Sequence, residues 1–388
     1  MTFLKEIVWG LFNLLKGVLN YFFFVHLILL LATYFSAYFR PDSFILLPFL
    51  SLLFPFFLFL NVLWIVFFAL FFHYSFWRLL IALIVQLFFL PEIKKYYNIS
   101  FPETIKNTEN TLSIMSFNVK LFDLYNWQNN HQTRQKIFEY LKKHPADIMC
   151  FQEFYTSEDS NDFNNLKDLQ ALFPNYYFHY EYFVTIRKND HWGLLTISKY
   201  PIIKKSVIHF NNAKNNGCIY SDILFNKDTI RVFNLHLQSY NLYKKKKWKP
   251  NQKPDDESFY QALDSTAKGN NFFRKIYYNN ILKTQQAESI LKVNENITYP
   301  AIIAGDFNDI PHSYLMRLVR KKYNDAFVEK GNGWGITYHD KLYLRIDYIF
   351  HDSQLEVLDF DTENNDETKH LSDHYPIRSI LQLKKKRD

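Results

Sequence analysis

Eight polar side chains stand where short apolar runs stop: Asn118 after TLSIMSF, Glu153 in DIMCFQE, His236 in TIRVFNLHL, Asp306 and Asn308 in AIIAGDFND, Asp347 in RIDYIF, and Asp373 with His374 just before YPIRSILQL. An apolar run bounded by turn residues reads as a buried strand. Such a strand delivers its last side chains to the sheet edge where open α/β layers place their chemistry. Singly, each residue has an ordinary explanation. Asn118 can cap a turn, Glu153 can be a surface carboxylate, His236 can be a satisfied core histidine, and an Asp/Asn-rich turn after a strand is common. Six separate segments ending this way point instead to one shared site. Carboxylates and amide oxygens without cysteine or clustered histidine form a hard-oxygen set suited to Mg²⁺ or Mn²⁺ rather than zinc. Two histidines outside such a shell suit acid–base work or stabilisation of a phosphate oxyanion.

The elements that must position these residues are strands interleaved with helices. HQTRQKIFEYLKKHP reads as an amphipathic helix stopped by Pro145, NNLKDLQALF as a short helix, and WGLLTISKYPI, CIYSDILF and TIRVFNLHL as strands. A long excursion over 238–299 opens with a Lys/Pro-rich loop and ends in the helical pattern FFRKIYYNNILKTQQAESILKVN. This alternation predicts a layered α/β domain of two facing sheets flanked by helices.

Ahead of that domain the composition changes. The phenylalanines, 40 in a chain of 388 residues, crowd into the first 90 positions. Residues 1–17 read as amphipathic, and uncharged or nearly uncharged apolar runs follow over 18–39, 44–72 and 76–90. A span of ~20 apolar residues matches a ~30 Å hydrocarbon core, so three transmembrane helices are expected, with Arg78 of the third snorkelling to the headgroups. The length of the first run and the two runs behind it argue against a cleaved signal peptide. The expected organisation is a membrane segment over 1–92, a linker over 93–110 and a catalytic domain over 111–388. The flanking basic residues are nearly balanced, and Lys5 with Lys16 ahead of the first span tilts the expectation towards an outward-facing domain. Few ionisable residues lie in the apolar part (Arg78, His26 and His73), which argues against a transporter or channel.

Two cysteines, Cys150 and Cys218, exclude a disulfide framework, and Cys150 sits in an apolar run as a buried thiol would. The net charge of +7 and the basic runs 244–247 and 384–387 are what a solvated loop, a nucleic-acid binder or an anionic-lipid binder would show.

SFN at 116–118, QE at 152–153, NLHL at 234–237, GDFND at 305–309, IDYIF at 346–350 and SDH at 372–374 together resemble the endonuclease/exonuclease/phosphatase family, DNase I-like, in its membrane-anchored bacterial form. The resemblance covers residues 111–383. It implies a four-layered α/β sandwich and divalent-metal-dependent phosphoester hydrolysis with Mg²⁺ or Mn²⁺. By position, Glu153 would be the principal metal ligand, with Asn118 beside it and Asp373 helping to hold the ion. Asp306 would orient or deprotonate the attacking water, and Asn308 would position the phosphate. Asp347 would hold His374, which stabilises charge or acts as base, and His236 would contact the phosphate or protonate the leaving oxygen. The expectation is an integral protein of a bacterial cytoplasmic membrane, acting as a phosphodiesterase or phosphatase on a membrane-proximal or lipid substrate. A DNA or RNA nuclease and a catalytically inert phosphate-binding module are the alternatives. The 244–247 run and Trp248 would touch headgroups or stack on bases.

Overall fold

Side-chain alternation along two central strands accounts for the layering. In Thr111–Asn118, Leu112 and Ile114 join one buried cluster while Met115 and Phe117 join another. In Ile148–Ser157, Ile148 and Cys150 go with the first set, and Met149 and Phe151 with the second. Strands buried on both faces read as continuous apolar runs, which is why these were legible. The first cluster lies between two sheets. The second lies between one sheet and the helices Thr133–Lys143 and Asn165–Leu172.

The computed structural model describes residues 2–101, 110–159, 163–186, 188–210, 216–240 and 272–384. The basic positions 244–247, Trp248 and 385–387 lie outside the described residues. The strands in chain order are β1 (Tyr97–Asn98), β2 (Thr111–Asn118), β3 (Ile148–Ser157), β4 (Tyr177–Ile186), β5 (Asp190–Ser198), β6 (Ile202–His209), β7 (Gly217–Phe225), β8 (Asp228–His236), β9 (Ala301–Asp306), β10 (Asn324–Asp325), β11 (Gly333–Trp334), β12 (Asp347–His351), β13 (Leu355–Thr362) and β14 (Ile377–Leu383). One six-stranded sheet runs β10-β12-β9-β8-β7-β6 and the other β13-β14-β2-β3-β5-β4. Pairing is parallel at β2–β3 and β8–β9 and antiparallel elsewhere. This is the expected α/β sandwich. Three differences are local. β4 and β13 were not anticipated. WGLLTISKYPI is two strands separated at Lys199–Pro201 rather than one. The expected linker carries β1, which pairs with β11.

Polar side chains join the two sheets between β3 and β8. Gln152 Nε2 of β3 donates to Asn234 Oδ1 of β8 at 2.7 Å. Asn234 Nδ2 in turn donates to Leu195 O at 2.9 Å and Phe151 O at 3.2 Å. Both side chains are fully buried, so each needs these partners to offset its desolvation.

Residues 1–93 form a second unit together with His312–Arg317. Its helices are Thr2–Ser36, Leu47–Leu70 and Phe72–Phe88. The first absorbs the amphipathic stretch expected as a separate feature. Two are long and apolar enough to cross a membrane, over Phe3–Ser36 and Leu47–Leu70, whereas Phe72–Phe88 has only 17 residues. Phe23, Phe68 and Ala82 pack together between them, and Asn61 Nδ2 donates to Ala82 O at 3.0 Å and to Gln86 Oε1 at 2.9 Å.

Candidate active site

Strand register brings the sequence-predicted residues together. His236 and Asp306 are partners across the parallel β8–β9 pair, and Asp306 faces Asp347 across β9–β12. Asn118 ends β2 beside Gln152 of β3, and β14, which follows Asp373 and His374, pairs back onto β2. Ser372 Oγ donates to Asn118 O at 2.8 Å and so ties the SDH segment to the end of β2.

Close approach of the strands requires Gly305. Its φ is +146°, and a Cβ there would lie 2.1 Å from Leu235 O. Glu153 is directed differently. It has a left-handed φ of 48° and falls where the β3–β5 register shifts between Phe151 and Phe154. A bulge re-aims a side chain, and a non-glycine residue held in this region marks local strain. The result points Glu153 at the other sheet's residues: His236 Nε2 is 3.8 Å from Glu153 Oε1 and 3.6 Å from Asp306 Oδ2.

Asn118 Nδ2 lies 3.1 Å from Asp306 Oδ2 and 3.4 Å from Glu153 Oε1, while its Oδ1 accepts from Lys120 N–H at 3.1 Å. As placed, Asn118 is a donor between two carboxylates. It could ligate a cation only with its amide turned over, since a ligand must present oxygen. Asp373 Oδ2 pairs with Lys120 Nζ at 2.7 Å. His374 Nδ1 is 2.8 Å from Asp347 Oδ2, and its Nε2 is 3.8 Å from Asp306 Oδ2. Asp306, Asp347 and His374 offer ligand atoms within 4.8 Å of one another, a grouping distinct from the Asn118, Glu153, Asp373 set expected from sequence. The short contact of His374 to Asp347 is the hydrogen bond of an oriented imidazole.

Asn308 also has a left-handed backbone, φ 50°. Its N–H reaches Asp306 Oδ1 at 2.8 Å and its Nδ2 reaches Leu237 O at 2.9 Å. Thus Asp306 Oδ1 is held by Asn308, while Oδ2 accepts from Asn118 and faces both histidines.

Electrostatics divides the roles. Burial, with Asp347 next to it, pushes the Asp306 carboxyl up to about 6. Burial and the charge of Asp373 raise Glu153. Burial lowers His236, favouring neutral imidazole. Burial would also lower His374, but Asp347, aided by Asp306 and Asp373, outweighs it and holds His374 up at about 10. Burial opposes ionisation of Asp373, yet His374 and Lys120 keep it below the usual carboxylate range. Four carboxylates (Glu153, Asp306, Asp347 and Asp373) therefore face Lys120 and a protonated His374. Acidic groups outnumber cationic ones there, and a divalent cation would offset the excess.

Sequence reasoning missed Lys120, Ser372 and a buried group behind Asn308 formed by Asp309, Lys283 and Tyr240. Lys283 carried a readable signal. Along Phe272–Val293 the buried positions include Ile276, Asn279, Asn280, Lys283, Gln286, Ala287 and Ile290, so polar residues occupy the inward stripe of an amphipathic helix.

A family profile described as endonuclease/exonuclease/phosphatase matches residues 115–374, and one described as a domain of unknown function matches 14–96. No curated protein matches in sequence. Among solved structures the chain is similar to an endonuclease/exonuclease/phosphatase from Bacteroides vulgatus, at 18% identity and TM-score 0.52 over 71% of this chain and 99% of that one. It is also similar to a family protein from Bacteroides thetaiotaomicron, at 16% identity and TM-score 0.51 over 71% and 96%. The profile spans most of the chain and includes all eight site residues expected from sequence, so this protein belongs to the endonuclease/exonuclease/phosphatase family, whose members are hydrolases acting on phosphoester bonds.

Proposed function

We propose that residues 111–388 form a divalent-metal-dependent phosphoester hydrolase, anchored by residues 1–92 in a membrane. The observation that carries the catalytic half is the contact set linking Asn118, Glu153, His236, Asp306 and His374, at 3.1 to 3.8 Å, from five separate segments. Glu153 and Asp373 would hold Mg²⁺ or Mn²⁺, joined by Asn118 with its amide turned. The cation, when bound, supplies charge to neutralise the phosphate oxygens.

The remaining work falls to the side chains themselves. Asp306, with its carboxyl raised to about 6, is ionised at neutral pH yet basic enough to orient and deprotonate a water. Asn308, fixed by its bond to Leu237, positions the phosphate. His374 stays protonated beside Asp347 and presents its Nε2–H to a developing oxyanion. His236, neutral, lies across Asp306 and Glu153 to contact the phosphate or the leaving oxygen.

Support for anchoring comes from the outward side chains of the helices. Phe22, Phe24, Ile28, Phe56, Phe59, Leu63 and Val66 are exposed, a surface that water does not tolerate and hydrocarbon does. A tether raises the local concentration of a substrate in the same membrane, which favours a membrane-proximal phosphoester over nucleic acid in solution. The net charge of +7 is the feature that favours a nuclease instead.

Two sets of assays test this reading. Glu153→Ala, Asp306→Ala and His374→Ala should each lower turnover of a generic phosphodiester by orders of magnitude in folded protein, and unchanged turnover would remove the catalytic assignment. Plasmid DNA, RNA, and phospholipid or sphingomyelin vesicles offered side by side decide the substrate. Hydrolysis of vesicles alone supports the membrane-proximal substrate, and efficient cutting of nucleic acid alone replaces it with the nuclease. A folded protein inert on the whole panel would be a phosphate-binding module.

A further inference from the structure

A lysine buried behind the catalytic turn has no place in the chemistry above. Lys283 and Asp309 each have a fully buried side chain, with Nζ 3.2 Å from Asp309 Oδ1. The same Nζ donates to Asn308 O at 2.8 Å and stands 3.6 Å from the centre of the Tyr240 ring. Asp309 Oδ1 also accepts from Tyr240 O–H at 3.0 Å and from Ile310 N–H at 3.0 Å, and Asp309 O accepts from Tyr348 O–H at 2.9 Å. Asn280 Nδ2 completes the group by donating to Tyr240 Oη at 3.0 Å.

Burying an ammonium and a carboxylate is unfavourable unless both are paired and hydrogen-bonded, and apolar residues of similar volume often serve stability as well or better. Stability alone is therefore a weak reason for this group. Its geometry supplies a better one. The ammonium grips the carbonyl of Asn308, whose left-handed backbone is uncommon outside glycine, though asparagine tolerates it better than most residues. That backbone aims Asn308 N–H at Asp306 Oδ1. With one oxygen of Asp306 so engaged, its other oxygen is the one that faces His236 and His374.

We propose that Lys283 is a positioning residue that locks the Asp306–Asn308 turn in its reactive geometry through the Asn308 carbonyl, with Asp309 and Tyr240 holding the lysine in place. This rests on the hydrolase reading for its kinetic consequence but not for its structural one. Substitution of the lysine alone leaves Asp309 buried and unpaired, so the informative protein is the full-length double variant Lys283→Met/Asp309→Asn. It removes both charges, and residue 309 can still accept from Tyr240 and Ile310. Asp309→Asn alone is the control: the lysine remains and can still donate to Asn308 O and to the amide oxygen at 309.

Two readouts are taken on folded, detergent-solubilised protein. Hydrogen exchange of peptides covering 301–311 should quicken at least tenfold in the double variant, with β2 and β3 unchanged, and stay slow in the control. With bis(4-nitrophenyl) phosphate and Mn²⁺, kcat should fall about 100-fold at little-changed KM, as expected for misplaced reacting groups. A lysine of merely structural value would lower thermal stability without either change. Unaltered exchange at 301–311 overturns the proposal, as does unaltered kcat in an active background. If the wild type itself is inert, the hydrolase reading falls, and exchange alone decides the positioning role.

Discussion

Replacing Asp347 by asparagine isolates the contribution of one hydrogen bond to the site. Asp347 Oδ2 lies 2.8 Å from His374 Nδ1, and both side chains are buried. Burial alone would drive His374 to the neutral form, and Asp347 is the strongest of the charges that overcome it. In Asp347→Asn only Asp306 and Asp373 remain to oppose burial, so His374 comes down from about 10. A step that needs the imidazolium is fully present below the His374 pKa and is lost as pH rises through it. The alkaline limb of the rate profile should therefore stand near pH 10 in the wild type and move down towards neutrality in the variant. The acid limb moves the same way. Asp306, raised to about 6 partly by Asp347, acts above its pKa and should stay active to lower pH when that neighbour is neutral. At neutral pH the loss of orientation and charge should cost about 10⁴-fold in kcat, or about 5.5 kcal/mol, the scale seen when an imidazole loses its carboxylate partner. The assay is kcat against pH for both proteins with a chromogenic phosphodiester and saturating Mn²⁺. A folded variant within threefold of wild type, with an unmoved alkaline limb, would refute the assignment of His374 as a protonated group held by Asp347.

Gly305→Ala places a methyl group 2.1 Å from Leu235 O on a backbone with φ +146°, so it should force β8 and β9 apart and destabilise by about 3 kcal/mol or more, read by chemical denaturation. Arg345→Met removes one of two arginines on buried Asp325, leaving Arg320 Nη2 at 2.8 Å, and should destabilise by about 2–4 kcal/mol at neutral pH. Burial opposes the Asp325 charge but the two arginines outweigh it and depress its pKa, so this stabilisation is present above about pH 4 and fades as pH falls further; the gap between variant and wild type should close in acid. Alkaline carbonate should leave the full chain in the membrane fraction, and a reporter fused at residue 100 should read outside; extraction by carbonate contradicts anchoring, and an inside signal reverses the orientation.

What the sequence made legible follows from how each feature is encoded. Strand ends such as Asn118, Asp306 and Asp347 interrupt apolar runs, so both the strand and its terminal polar residue show in one dimension. The sandwich follows because β2, β3 and β9 are apolar on both faces. β4, YFHYEYFVTI, escaped because its aromatic residues fall on both faces and blur a period of two. β13 alternates buried and exposed on either side of a register shift between Val357 and Asp359, but that shift and its acidic residues gave it the look of a loop. The direction of Glu153 was not readable at all: its left-handed backbone arises from a register shift against β5, a property of pairing rather than of local sequence. Lys120 hid for a similar reason. It follows Asn118 by two residues, but four consecutive left-handed residues from Lys120 to Asp123 turn it back towards Asp373. Lys283 was legible in principle as a charge on the buried stripe of its helix.

The measurement closest to the central claim is turnover by the purified full-length protein on bis(4-nitrophenyl) phosphate before chelation, after EDTA, and after Mg²⁺ or Mn²⁺ is restored. The excess of carboxylates over cationic groups at the site predicts activity that vanishes with chelator and returns with either ion, and that Glu153→Gln cannot recover at any attainable metal concentration. Full turnover in EDTA, or Glu153→Gln behaving as wild type, would contradict the account.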